Sequence, residues 1–147
     1  MADWNWSGVA VSISLISLCV SIYVALRDRG SITAWARYLS SFENLSDGIL
    51  VHVVNSGRRP ETVRRLLLHT IDGKQYEHKL ERGDQAIRLL ESEDYEFQIN
   101  LENSELRNWA ESHIVRAQIQ SSRGKLYEVE NLAAIVNANA ETIRKAI

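Results

Sequence analysis

The sequence predicts a mainly β protein, in which an amino-terminal transmembrane helix precedes an antiparallel β-sandwich of about seven short strands, a small closed barrel being the structural alternative. Three observations lead there. All charged residues except Asp3 lie from Arg27 onward, leaving an uncharged apolar run ahead of them. From Gly30 the pattern changes to short alternating runs divided by turn signals, which favours strands. Finally, 147 residues with 45% hydrophobic and 24% charged side chains suit one ordinary globular domain with an appended segment. One Cys excludes an internal disulfide framework and a multi-cysteine zinc site.

The apolar run, Ser7 to Leu26, is uncharged and proline-free. As a helix it is about 30 Å long, the thickness of a bilayer's hydrocarbon core. Ser12, Ser14, Ser17 and Ser21 weaken the hydropathy, but their hydroxyls can bond to carbonyls one turn earlier. Trp4 and Trp6 at one end, and Arg27 and Arg29 at the other, read as interfacial anchors. A cleaved signal peptide would need a basic n-region, and a buried globular helix would seldom go uncharged for so long. The segment 1–29 is therefore expected to carry an uncleaved anchor, about 7–26, ahead of a soluble domain, 30–147. Arg27, Arg29 and Arg37 follow the run, and the positive-inside rule then places that domain in the cytoplasm of an inner-membrane protein, amino terminus outside. Ala10, Ser14, Ser17, Ser21 and Ala25 draw a stripe of small side chains on which two helices could pack closely.

In the domain, Ser31–Tyr38, Ile49–Asn55 and Thr62–Ile71 read as the first three strands. Asp72-Gly73 is a hairpin turn signal, leading to Lys74–Leu80 and then Ala86–Leu90. Tyr95, Phe97, Ile99 and Leu101 alternate with polar residues, as a half-buried strand does. Val115, Ala117 and Ile119 alternate in His113–Gln120, and Ser122-Arg123-Gly124 turns into Lys125–Glu130. A short helix is expected over Ser104–Trp109. A longer one is expected over Leu132–Ile147, capped by Asn131, with Arg144 and Lys145 in its last turn.

The order of Leu26-Arg27-Asp28-Arg29, Val53-Val54-Asn55-Ser56-Gly57-Arg58-Arg59-Pro60, the acidic Tyr95–Leu101 strand, the Leu106–Trp109 helix and Ser122-Arg123-Gly124-Lys125-Leu126-Tyr127 resembles small bacterial or phage membrane proteins. These carry one amino-terminal helix and an immunoglobulin-like domain. The resemblance covers most of the chain and implies that architecture, with no assigned activity and no functional residue to carry over. The paired cysteines of true immunoglobulin domains are absent, so the likeness is architectural.

No phosphate loop, H-E-x-x-H, C-x-x-C or G-x-S-x-G is present. His52, His69, His78 and His113 are dispersed. The sequence therefore predicts no catalytic, cofactor or metal residues and no enzyme. Arg58, Arg59, Arg64 and Arg65 form the strongest polar constellation. It reads as a solvated face, or as a contact for lipid or a partner if the Asn55–Pro60 turn returns to the bilayer. Glu91, Glu93, Asp94, Glu96, Glu102 and Glu105 make an opposing acidic surface. With a net charge of -2, nucleic acid is not an expected partner. The expected partners are membrane lipid and a protein, another copy of the chain included. The expected role is a non-enzymatic, membrane-anchored interaction module or accessory subunit, a ligand- or lipid-binding sensor being the alternative.

Overall fold

A computed structural model describes residues 6–27, 30–40, 47–82, 85–100 and 104–145. Helix α1 (Trp6–Arg27) has every described side chain from Gly8 to Ala25 exposed. Apolar residues surround its axis without forming one buried face, so nothing in the fold uses it as a core helix.

Among the described residues, nine strands form a mixed sheet: β1 (Ile32–Leu39), β2 (Gly48–Asn55), β3 (Glu61–Thr70), β4 (Gln75–Lys79), β5 (Glu81–Arg82), β6 (Gln85–Leu89), β7 (Asp94–Asn100), β8 (Ile114–Ser121) and β9 (Leu126–Glu130). Their order is β5-β6-β3-β8-β9-β1-β2-β7, with β4 on the edge of β3 beside β6. The sheet curls into a half-barrel. This corrects the expectation of two separate antiparallel sheets. Strand β9 pairs antiparallel with β8 and then parallel with β1, splicing β7-β2-β1 to the β3 side of the sheet. Parallel pairing between the first and last strands leaves no local signal in a sequence, whereas hairpins do.

Inward positions carry the alternation that defined the strands. Ala34, Ile49, Val51, Val53, Val63, Leu66, Leu68, Ile99, Ala117 and Ile119 are all buried in one core. Two bulges also interrupt the alternation. The register shift between Val63 and Arg65 leaves Arg64 and Arg65 both exposed. A second shift pairs His69 with Arg116 but Thr70 with Ile114, so Val115 is 55% exposed where the sequence suggested an inward residue.

One end of the half-barrel is covered by α2 (Ser104–Glu111), α3 (Leu132–Ala138) and α4 (Ala140–Lys145), through buried Leu106, Trp109, Leu132, Val136 and Ile143. The expected single terminal helix is thus broken at Asn139, whose side chain donates back to the Ile135 carbonyl at 2.9 Å. Asn131 does not cap with its side chain; it takes a left-handed conformation instead, φ 66°. Asn137 docks α3 by pairing both ways with the Ile114 backbone, at 2.7 and 3.0 Å.

Candidate functional site

The opposite end of the half-barrel is where the chain arrives from α1. Three connections meet there. Ile32 pairs with Asn55, so the β2–β3 turn comes back to the start of β1. The Gly57 N–H and the Ser56 hydroxyl both donate to the Ser31 carbonyl, at 3.1 and 3.3 Å. On the other side, the parallel register of Ala34 with Val129 sets Leu126 level with Ser31. Lys125 Nζ and the Tyr127 hydroxyl accordingly donate to the Gly30 carbonyl, at 3.3 and 3.4 Å. The helix exit is thus flanked by Arg58 and Arg59 in one turn and Arg123 and Lys125 in the other, all exposed.

Asn55 holds this end together from a fully buried position. Its amide donates to the Arg59 and Leu89 carbonyls, at 2.9 and 3.1 Å, and its Oδ1 accepts from Gly57 N–H at 3.0 Å. Its backbone bonds Ser92 and Glu93, bringing the acidic β6–β7 turn in on the far side of the β2–β3 turn from Gly30. Glu61, 1% exposed, packs directly on Gly30: a Cβ there would lie 2.1 Å from its Oε1. Neither Glu61 oxygen has a hydrogen-bond partner among the described residues, and Arg123 Nη1 stands 3.6 Å away, too far for a hydrogen bond. Burial, and then the Glu61 charge, push the Tyr127 hydroxyl above the ordinary tyrosine pKa, against the opposing pull of Arg123.

The four arginines singled out from the sequence do not form one constellation. Arg58 and Arg59 belong to this end, whereas Arg64 and Arg65 project from the β3 bulge, where β3's edge partner changes from β6 to β4. There Arg65 pairs with Glu77 at 3.0 Å, and Arg64, Lys79, Glu81 and Ala86 help line an open groove of about 340 Å³. The acidic surface is likewise divided. Glu96 meets His52 Nδ1 at 2.7 Å, Glu105 meets His78 Nδ1 at 2.6 Å, and Glu93 Oε2 accepts from Leu90 N–H at 2.7 Å. Glu91 and Asp94 are exposed, and Glu102 lies outside the described residues.

Sequence reasoning missed these two His–Glu pairs, because register alone sets His52 opposite Glu96 and also opposite Trp35. The Trp35 ring stacks on His52 with centroids 5.2 Å apart, forming a Trp–His–Glu ladder across the outer face of three strands. It also missed Arg123 and Lys125, whose only sequence signal was the turn that carries them. Among the described residues, no three His, Cys, Asp or Glu side chains converge.

In α1, Ser14 and Ser21 donate to the carbonyls of Ala10 and Ser17 at 2.9 and 2.8 Å, so two hydroxyl protons of the small-residue stripe are already used within the helix. Ala25 and the rest of the stripe are exposed. Of the proposed interfacial anchors, Trp6 and Arg27 are the first and last residues of α1, while Trp4 and Arg29 lie outside the described residues.

No family model and no curated protein matches this chain. Among solved structures, it is similar to a candidate ApaA protein from Bordetella pertussis at 16% identity and a TM-score of 0.32, over 69% of this chain and 86% of that one. It is also similar to a Northeast Structural Genomics Consortium target at 12% identity and a TM-score of 0.29, over 71% and 83%. Scores this low do not establish a common fold, and nothing of either protein is carried to this one.

Proposed function

We propose that this chain is a non-enzymatic, single-pass inner-membrane protein that presents a cytoplasmic β domain to protein partners, as an interaction module or accessory subunit. The observation that carries the reading is α1. Its 18-residue window Gly8–Ala25 has a mean hydropathy of 2.2 and no buried residue, so its apolar surface has no use within the fold. A helix of that length and composition is accommodated by lipid at little cost, whereas in water it would expose a long apolar rod. Arg27 at its end supports the orientation with the domain inside. The ladder of Trp35, His52 and Glu96 offers a partner an exposed aromatic face of the kind that contributes strongly at interfaces.

Crosslinking and capture from native membranes, with the full chain beside a form lacking Met1–Leu26, tests the proposal. Capture of a defined protein by the full chain from the membrane fraction supports it. Recovery of the full chain in the soluble fraction refutes the anchor. Capture only of itself would make it a homo-oligomer. The sensor alternative is supported by the groove at Arg64 and Lys79, and is tested by whether small anions raise the melting temperature of the protein.

A further inference from the structure

We infer that the two basic turns flanking the helix exit dock the β domain onto anionic lipid headgroups. The inference rests on the reading that α1 spans the bilayer, and adds to it a surface and a ligand. Arg27 is the last residue of α1, and the three residues from there to Gly30 can reach only about 10 Å when fully extended. If α1 ends at the hydrocarbon boundary, Gly30 lies in or against the headgroup layer, which is roughly 5–7 Å thick on each side.

The turns bound to Gly30 and Ser31 share that position. One brings Arg58 and Arg59, the other Arg123 and Lys125, and beside Lys125 the Leu126 side chain is 48% exposed. Cations next to an exposed leucine are what a membrane surface takes up, phosphates meeting the charges and the apolar chain entering the interface. Among the described residues, the carboxylate packed on Gly30 is Glu61, which is buried; Arg123, 3.6 Å from it, keeps an exposed side chain for the lipid. The acidic turn with Glu91 and Glu93 is joined through Asn55 to the side away from Gly30. Its repulsion by phosphate tilts the domain toward the Arg123–Leu126 hairpin. Each basic residue held at an anionic surface shifts the docked-to-free ratio about fivefold.

The test uses the full chain carrying Cys19→Ala and Ser122→Cys, with a fluorophore on position 122, reconstituted in two kinds of vesicle. One is phosphatidylcholine alone, the other phosphatidylcholine with one-third phosphatidylglycerol, each with a nitroxide headgroup quencher. Docking predicts strong quenching in the anionic vesicles and weak quenching in the neutral ones. The quenching should be lost at high salt, and also with Arg58→Gln, Arg59→Gln, Arg123→Gln and Lys125→Gln combined. Lysine at the three arginine positions should restore it, which separates lost charge from lost fold. Equal quenching in both lipids, or quenching unaffected by the four substitutions, overturns the inference while leaving the anchor intact. Failure of the chain to float with either vesicle overturns the anchor reading itself.

Discussion

Asn55 and Glu61, six residues apart, illustrate opposite ways of burying a polar side chain. Asn55 satisfies its amide completely, as donor to two carbonyls and acceptor from Gly57. Asn55→Asp keeps the shape but loses both donations. It should cost about 2–4 kcal/mol, read by urea unfolding of the detergent-solubilised protein. Glu61 is the reverse, a buried carboxylate with no hydrogen bond and one cation, at 3.6 Å, among the described residues. Glu61→Gln should therefore raise the melting temperature, because it removes a buried charge and sacrifices no hydrogen bond. Gly30→Ala should destabilise by about 1–3 kcal/mol, since its methyl would overlap the Glu61 carboxylate. Adding Glu61→Ala should recover most of that loss, and a double-mutant cycle measures the coupling. Tyr127 gives a pH dependence at the same place. Burial and the Glu61 charge raise its pKa in the folded state above 10.0, so its contribution is fully present below that value. It is lost as the pH climbs through the raised pKa, because the unfolded state then releases the proton more readily. Tyr127→Phe should flatten the alkaline limb of the stability profile, measured by thermal melts from neutral pH upward.

At the scale of elements, turn chemistry accounts for much of the fold. The β3–β4 and β8–β9 hairpins are built alike. Gly73 N–H bonds the Thr70 carbonyl and Gly124 N–H bonds the Ser121 carbonyl, both glycines taking φ near +80°. This is a three-residue loop ending in a left-handed glycine rather than the two-residue Asp-Gly turn that the sequence suggested. The β6–β7 turn needs the same conformation but places Ser92 there, at φ 60°. Ser92→Gly should consequently stabilise the protein by about 0.5–1 kcal/mol, visible as a higher urea midpoint with an unchanged slope. Most strands were legible to within a residue or two because each alternates over a buried face. The two-residue β5 was not, being too short to carry a period. The bulges at Arg64 and Val115 escaped for a related reason, since one extra residue looks like a lapse in alternation. The break at Asn139 escaped because Leu132, Val136 and Ile143 keep helical spacing on both sides of it.

For the whole molecule, what could be read and what could not divide along sequence distance. Elements formed by neighbours announce themselves, and so does the uncharged length of α1. Only the Arg58–Arg59 half of the basic end could be read, because Lys125 reaches Gly30 through a parallel register that no hairpin announces. The His–Glu pairs needed the same tertiary information. The proposed anchor makes its own prediction. Leu18→Arg puts a charge near the middle of the helix, at a cost of about 2.5–3.5 kcal/mol for insertion. It should move a large share of the protein out of the carbonate-resistant membrane fraction, while Leu90→Arg, on an exposed turn, should leave that fraction unchanged.

The parallel pairing of β1 with β9 bears on how the chain is made. The strand nearest the helix lies inside the sheet, and its neighbour on one side is the ninth strand along the chain. At roughly 5–20 residues per second, the helix emerges several seconds before Leu126 does. If α1 anchors the chain as proposed, a nascent chain whose helix is already in the bilayer must hold β1 and β2 without that neighbour until β9 has been made. Shortened products ending before β9 would keep α1 and lose the splice that joins the two sides of the sheet, leaving β1 of the β7-β2-β1 side with an open edge for quality control to recognise.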